Sequence, residues 1–244
     1  PTPEANQLFV EVAQVNDRID RLRQVAVSLR SADKGNIRIA ATTAFSIDFL
    51  PGAIASYRKA HEDILFNLET LRYEELTEAL MESRIDIGLA YDQGNLPGIS
   101  GEQLGHGRFV VLTSKRMNPA KQGPLRLEDL TGLPFIRLDN QGSLDRSLTT
   151  RIEASGVELT PVGIAGSFQL AKALVSHGLG VCIADEVTAR SGRDDGIVIR
   201  QLEPEISFRI SALHIDQEST SLISKEFIGY LKTRLGEFLG NTGQ

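Results

Sequence analysis

The feature that most constrains this chain is an arrangement that occurs twice. After Gly35, short β-prone runs alternate with helical segments. The first strand is Ile37-Arg38-Ile39-Ala40, followed by a helix over residues 46–60. Ile64-Leu65-Phe66-Asn67-Leu68, a helix over 73–83 and Ile85-Asp86-Ile87-Gly88-Leu89-Ala90 complete the first set. Apolar spacing marks the helices: Ile47, Leu50, Ile54 and Tyr57 in one, Leu76, Ala79 and Leu80 in the other. Near residue 135 the plan restarts. It runs through Phe135-Ile136-Arg137-Leu138, a helix over 143–154, Pro161-Val162-Gly163-Ile164-Ala165, a helix over 167–177 and Val181-Cys182-Ile183-Ala184. Each β-α-β-α-β set calls for a mostly parallel sheet covered by helices. The expected fold class is α/β, with two Rossmann-like subdomains.

Two further strands are expected to join the halves. Phe109-Val110-Val111-Leu112-Thr113 crosses from the first to the second, and residues 207–213 return. A last helix over 221–239 then rejoins the first lobe. This predicts subdomain I from residues 35–108 with 214–244, and subdomain II from 109–213 with the crossover strands. Residues 1–34 precede both, and 4–31 read as one long helix. Its apolar series Leu8, Val12, Val15, Ile19, Leu22, Ala26, Leu29 steps alternately by 4 and 3. That is a coiled-coil seam, which fits a linker and dimerisation helix. A surface helix packed on its own domain is the plainer alternative.

Composition excludes several classes. A net charge of −6 argues against these residues gripping nucleic acid through overall charge. No apolar run has the length of a membrane span, and no signal-peptide pattern opens the chain. The first residue is Pro1, so a fragment is expected. A single cysteine, Cys182, forbids an internal disulfide and suits a reducing, cytoplasmic setting. None of the four histidines, His61, His106, His177 and His214, has metal-ligand spacing to another ligand type, so no metal or other cofactor is expected. Gly178-Leu179-Gly180 follows a helix and enters a strand, the reverse of a dinucleotide fingerprint, and there is no G-x-S-x-G elbow. An enzyme is not expected.

The chemistry that converges lies at the strand-to-helix junctions. In parallel α/β sheets, ligands bind beyond the carboxyl ends of the strands, where helix starts favour anions. The four junctions carry Thr42, Thr43 and Ser46; Thr70; Asn140, Gly142 and Ser143; and Ser167 with Phe168. If the lobes face each other, these hydroxyls and amides meet in one cleft suited to a carboxylate. Helix capping by the same side chains is the competing explanation. Arg72 and Arg137 would add charge or be ordinary surface or salt-bridged arginines, Tyr91 would form an aromatic wall or be core, and Asp92 or Asp139 would meet an amino group or serve as turn residues.

Several stretches together resemble the LysR-type transcriptional regulators. They are Pro1-Thr2-Pro3-Glu4-Ala5, Gly35-Asn36-Ile37-Arg38-Ile39-Ala40, Leu50-Pro51, Ser83-Arg84-Ile85-Asp86-Ile87-Gly88-Leu89-Ala90, Leu127-Glu128-Asp129-Leu130 and Ala173-Leu174-Val175-Ser176-His177-Gly178-Leu179-Gly180-Val181. The resemblance implies a linker helix and an effector-binding domain similar to type 2 periplasmic binding proteins, with a winged helix-turn-helix head lying outside this chain. It implies a small-molecule effector held between the lobes by Thr42, Thr43, Thr70, Asn140, Gly142, Ser143, Ser167 and Phe168. It also implies DNA as a partner through the absent head, and a homodimer or homotetramer. The opening is similar to the branch that responds to amino acids and opines. A stand-alone solute-binding protein of a transporter shares the cleft logic and is the alternative.

Overall fold

The structure, a computed structural model, describes residues 35–91, 94, 96–117, 123–139, 142–192, 196–215 and 221–240, with Thr2 and Val12. Most of the expected leading helix, including Leu8, Val15, Ile19 and Leu22, lies outside the described residues. Val12 is helical and 49% exposed.

Alternation of apolar side chains builds the first lobe. Strand β1 (Asn36–Ala41) lies between β2 (Leu65–Thr70) and β3 (Ile87–Tyr91), parallel to both. Successive strand residues face opposite sides of a sheet. Ile37, Ile39 and Ala41 therefore enter one core with α1 (Thr43–Ser46), α2 (Phe49–Tyr57) and α7 (Leu222–Leu239). Ala40 enters another, with Leu76, Ala79 and Leu80 of α3 (Tyr73–Met81). A side chain at Gly88 of β3 would place its Cβ 2.3 Å from Leu76 Cδ2, so the bare glycine lets α3 lie close on the sheet.

The second lobe repeats the plan. β5 (Pro134–Leu138) and β6 (Thr160–Ala165) run parallel, with α4 (Ser143–Ser155) and α5 (Phe168–Ser176) following them in turn. β7 (Cys182–Asp185) is joined to β5 just before its start. There Val181 N–H donates to Pro134 O and Ile136 N–H to Val181 O, both at 2.8 Å. A Cβ at Gly180 would stand 2.3 Å from Pro134 O, so only glycine permits this approach. Leu138, Leu148, Phe168, Ala171, Val175 and Ile183 are part of a separate core.

Two long strands connect the lobes. β4 (Ile99–Ser114) and β9 (Ser207–Ile215) pair antiparallel, with a register shift between Gln103 and Gly105. β9 also pairs with β3, and β4 with β7 and β8 (Ile197–Gln201). Among the described residues this gives the sheet order β2-β1-β3-β9-β4-β7. Phe208 of β9 packs against both main cores, where the crossing strands leave one lobe for the other.

Three details differ from expectation. The helix expected over 46–60 is α2 alone (Phe49–Tyr57), and the one-turn α1 (Thr43–Ser46) precedes it with a break between the two. At the break, Asp48 leaves helical geometry (φ −136°, ψ −57°), and its carboxylate accepts the Gly192 N–H from the other lobe at 2.7 Å. β8 and the short helix α6 (Glu186–Arg190) had no counterpart in the sequence reading. No helix among the described residues is long and apolar enough to cross a membrane.

Candidate functional site

β1, β2 and β3 run parallel, so their carboxyl ends lie on one side, where α1 and α3 begin. α4 and α5 begin just after β5 and β6 in the second lobe. A cavity of about 350 Å³ lies between these two sets of helix starts. The first lobe lines it with Thr42, Thr43 and Ala44, with Leu71 to Glu74, and with Tyr91. The second contributes Gly142, Leu144 and Asp145, then Gly166, Ser167, Phe168 and Gln169.

Five of the expected site residues therefore meet: Thr42, Thr43, Gly142, Ser167 and Phe168. Thr70 does not line the cavity. It is exposed at the end of β2, an edge strand whose side chains mostly face outward. Asn140 lies outside the described residues, and Ser143 is the first residue of α4. Arg72 is in the wall, whereas Arg137 is exposed on β5 and does not line the cavity. Asp92 lies outside the described residues.

Capping and binding can now be separated. Thr42 occupies the position before α1 but its side chain makes no capping bond. Its Oγ1 is buried and has no hydrogen-bond partner. Ser167 does cap: its Oγ accepts the Leu170 N–H at 3.2 Å at the start of α5. A hydroxyl has one proton and two acceptor positions, so Ser167 can cap and still donate to a ligand.

Aromatic rings tie the cavity to both cores. Phe45 to Tyr91 is 4.9 Å between centroids, Tyr91 to Phe208 4.9 Å, Phe208 to Phe109 5.2 Å and Phe109 to Phe168 6.2 Å. Two members of this chain, Tyr91 and Phe168, are cavity walls from opposite lobes.

Sequence reasoning missed Asp145 and Gln169. Asp145 sits in the first turn of α4, where an acidic residue usually answers the helix dipole, so nothing set it apart. It is 9% exposed. Burial raises the pKa of its carboxyl, the Gly142 N–H opposes this, and the nearby charges of Asp139 and Asp185 add to the rise, eased by Arg146. Asp185 is fully buried, and burial raises it too, against bonds from Thr188 and Tyr91. Tyr91 is raised well above the usual phenol range, first by burial and then by the Asp185 charge. Cys182 is buried within β7, and desolvation pushes its thiol far up, which leaves it unreactive.

A second cavity of about 350 Å³ is lined by Ala189, Arg190, Gly192, Ile197, Ile199 and Phe238. It shares no lining residue with the first cavity, and Arg190 is already paired with Glu186 at 2.8 Å.

The family profile described as the LysR substrate binding domain matches residues 30–236. The HTH-type transcriptional regulator DgcR of Pseudoalteromonas sp is 30% identical over 231 residues, which is 95% of this chain and 79% of that protein. HinK, a LysR family transcriptional regulator from Pseudomonas aeruginosa, superimposes with a TM-score of 0.73 at 20% identity, covering 97% of this chain and 81% of HinK. The BenM effector binding domain, solved with its effector benzoate, gives a TM-score of 0.71 at 22% identity over 86% of this chain and 96% of that domain. The two-lobed fold and the extent of the profile match lead to one conclusion: this chain belongs to the LysR-type transcriptional regulators, as their effector-binding domain.

Proposed function

We propose that the interlobe cavity binds a small carboxylate-bearing metabolite, with amino acids and opines the first compounds to examine. Binding there controls a DNA-binding head outside this chain. One observation carries the reading: the buried Thr42 hydroxyl has no protein partner and stands in a cavity wall beside Thr43, opposite Ser167. A buried polar group without a partner is costly, and a ligand oxygen relieves the cost. Hydrogen bonds to a charged group contribute about 1.5–3 kcal/mol each, so these hydroxyls can supply a substantial part of a carboxylate's binding energy. BenM, which shares the fold, has the carboxylate benzoate as its effector.

Residues 35–108 with 214–244 and residues 109–213 act as the two moving bodies in this proposal. β4 and β9 are the hinge, and the regulator works as a homodimer or homotetramer through the leading helix. An effector shifts such an equilibrium only as far as it binds the two lobe arrangements unequally. The test is a thermal-shift and calorimetric screen of small carboxylates, repeated on Thr42→Ala and Ser167→Ala. The expected result is a compound that stabilises the protein and binds at least about tenfold more weakly to Thr42→Ala. Equal binding to wild type and both variants would overturn the assignment.

A further inference from the structure

The charged side chains in the cavity wall are not equivalent. Arg72 and Glu74 are exposed, so water screens them, but Asp145 is buried. One neutral donor, the Gly142 N–H, bonds its carboxylate. Arg146 eases its charge, and Asp145 is in none of the ion pairs among the described residues. A buried carboxylate normally has a cationic partner or a metal. No group of three or more His, Cys, Asp or Glu among the described residues could hold a metal ion.

The opposite faces of the cavity differ in kind. The first lobe offers the donors of Thr42 and Thr43 together with the Arg72 cation. The second offers acceptors beside its serine. Gln169 gives its Nε2 to Thr188 Oγ1 at 3.0 Å, which leaves its Oε1 for a further donor. Asp139 adds negative charge nearby: its Oδ2 lies 3.6 Å from the point a Cβ would occupy on Gly166, another wall residue. The unpartnered Thr42 oxygen is an independent sign that the same cavity is completed by a ligand.

We propose that Asp145 is the subsite for a protonated amine, so that the effector carries an ammonium or guanidinium group as well as a carboxylate. The carboxylate lies toward Thr42, Thr43 and Arg72, and the cation lies toward Asp145 with the Gln169 carbonyl beside it. Asp145 is then a specificity residue. A plain carboxylic acid of the same shape leaves it buried without a counter-charge, and is rejected for that reason. This inference rests on the carboxylate reading of the cavity and adds the second half of the ligand.

The experiment is a paired screen by isothermal calorimetry. The probes are the L- and D-α-amino acids and basic opines, each beside its 2-hydroxy or des-amino counterpart. Wild type is compared with Asp145→Asn, which keeps an acceptor for the Gly142 N–H, and with Asp145→Glu. The expected result is that an amine-bearing probe binds wild type about tenfold or more tightly than its counterpart. Asp145→Asn should erase that ratio, and Asp145→Glu should retain part of it. Equal binding of the paired probes to wild type overturns the subsite while leaving the carboxylate reading intact, and needs no variant to fold. A ratio unchanged in Asp145→Asn overturns the assignment to Asp145. Failure of every carboxylate in both panels overturns the cavity reading and the subsite together.

Discussion

The Tyr91 hydroxyl donates to Asp185 Oδ1 at 2.5 Å, joining the end of β3 in one lobe to the end of β7 in the other. The same Asp185 oxygen accepts the Thr188 N–H at 2.7 Å and so caps α6. Tyr91 also lines the cavity, so one ring touches the cavity, the crossing-strand aromatic Phe208 and the cap of a second-lobe helix. Tyr91→Phe removes a donor from a fully buried carboxylate and keeps the ring. It is expected to cost about 1–3 kcal/mol, because the acceptor stays buried. The midpoint of thermal unfolding should fall by roughly 2–4 °C per kcal/mol for a chain of this size. An unchanged midpoint would mean that Thr188 alone holds Asp185.

Thr42 and Ser167 should part company when their hydroxyls are removed. Thr42→Val replaces an unpartnered buried oxygen with a methyl of similar size, so the ligand-free protein should be as stable as wild type or slightly more so. Ser167→Ala deletes a cap on α5 and should cost about 0.5–2 kcal/mol. Both should weaken a carboxylate ligand. Urea unfolding of the empty proteins separates the cases. Equal destabilisation by both would show that Thr42 supports the fold rather than a ligand.

Gly180→Ala tests the junction that registers β7 on β5. The new Cβ would meet a backbone oxygen, Pro134 O, which has no rotamer by which to withdraw. The two 2.8 Å bonds between Val181 and its partners Pro134 and Ile136 must lengthen. A cost of about 1–3 kcal/mol is expected from such overpacking, read as a lower urea midpoint with unchanged slope. A variant as stable as wild type would show that the strand ends yield freely.

These residues also mark what a linear reading can reach. Ile37, Ile39 and Ala41 facing one core and Ala40 the other is a period of two, visible in six residues. The hydroxyls after the strands were visible as well, because strand ends and helix starts adjoin in sequence. Tyr91 and Asp185 are 94 residues apart, and neither carries a local mark of the other. α6 spans five residues, too few to display a helical period. Thr70 matched its junction by position, but its strand lies at the sheet edge, a fact of sheet order rather than local pattern. Asp145 was hidden by its ordinary place in a first helical turn. Only its burial in the cavity wall distinguishes it.

That burial makes a prediction about pH. Asp145 has a raised pKa in the folded protein, chiefly through desolvation. From about 3.9, the ordinary aspartate value, up to its raised value, the folded state holds this proton more firmly than the unfolded state. Its contribution to stability is therefore full below that window and is lost as pH rises through it. Asp145→Asn carries no such proton. The stability of Asp145→Asn minus that of wild type should be most favourable near neutral pH and should shrink on acidification toward about pH 4. Urea titrations of both proteins across this range measure the difference, and carboxylates remote from Asp145 cancel in the subtraction. A difference that grows on acidification would contradict the assigned direction. An amine-bearing ligand supplies the missing counter-charge, which favours the ionised carboxyl. Its affinity should therefore fall as Asp145 becomes protonated, and that loss should be absent in Asp145→Asn.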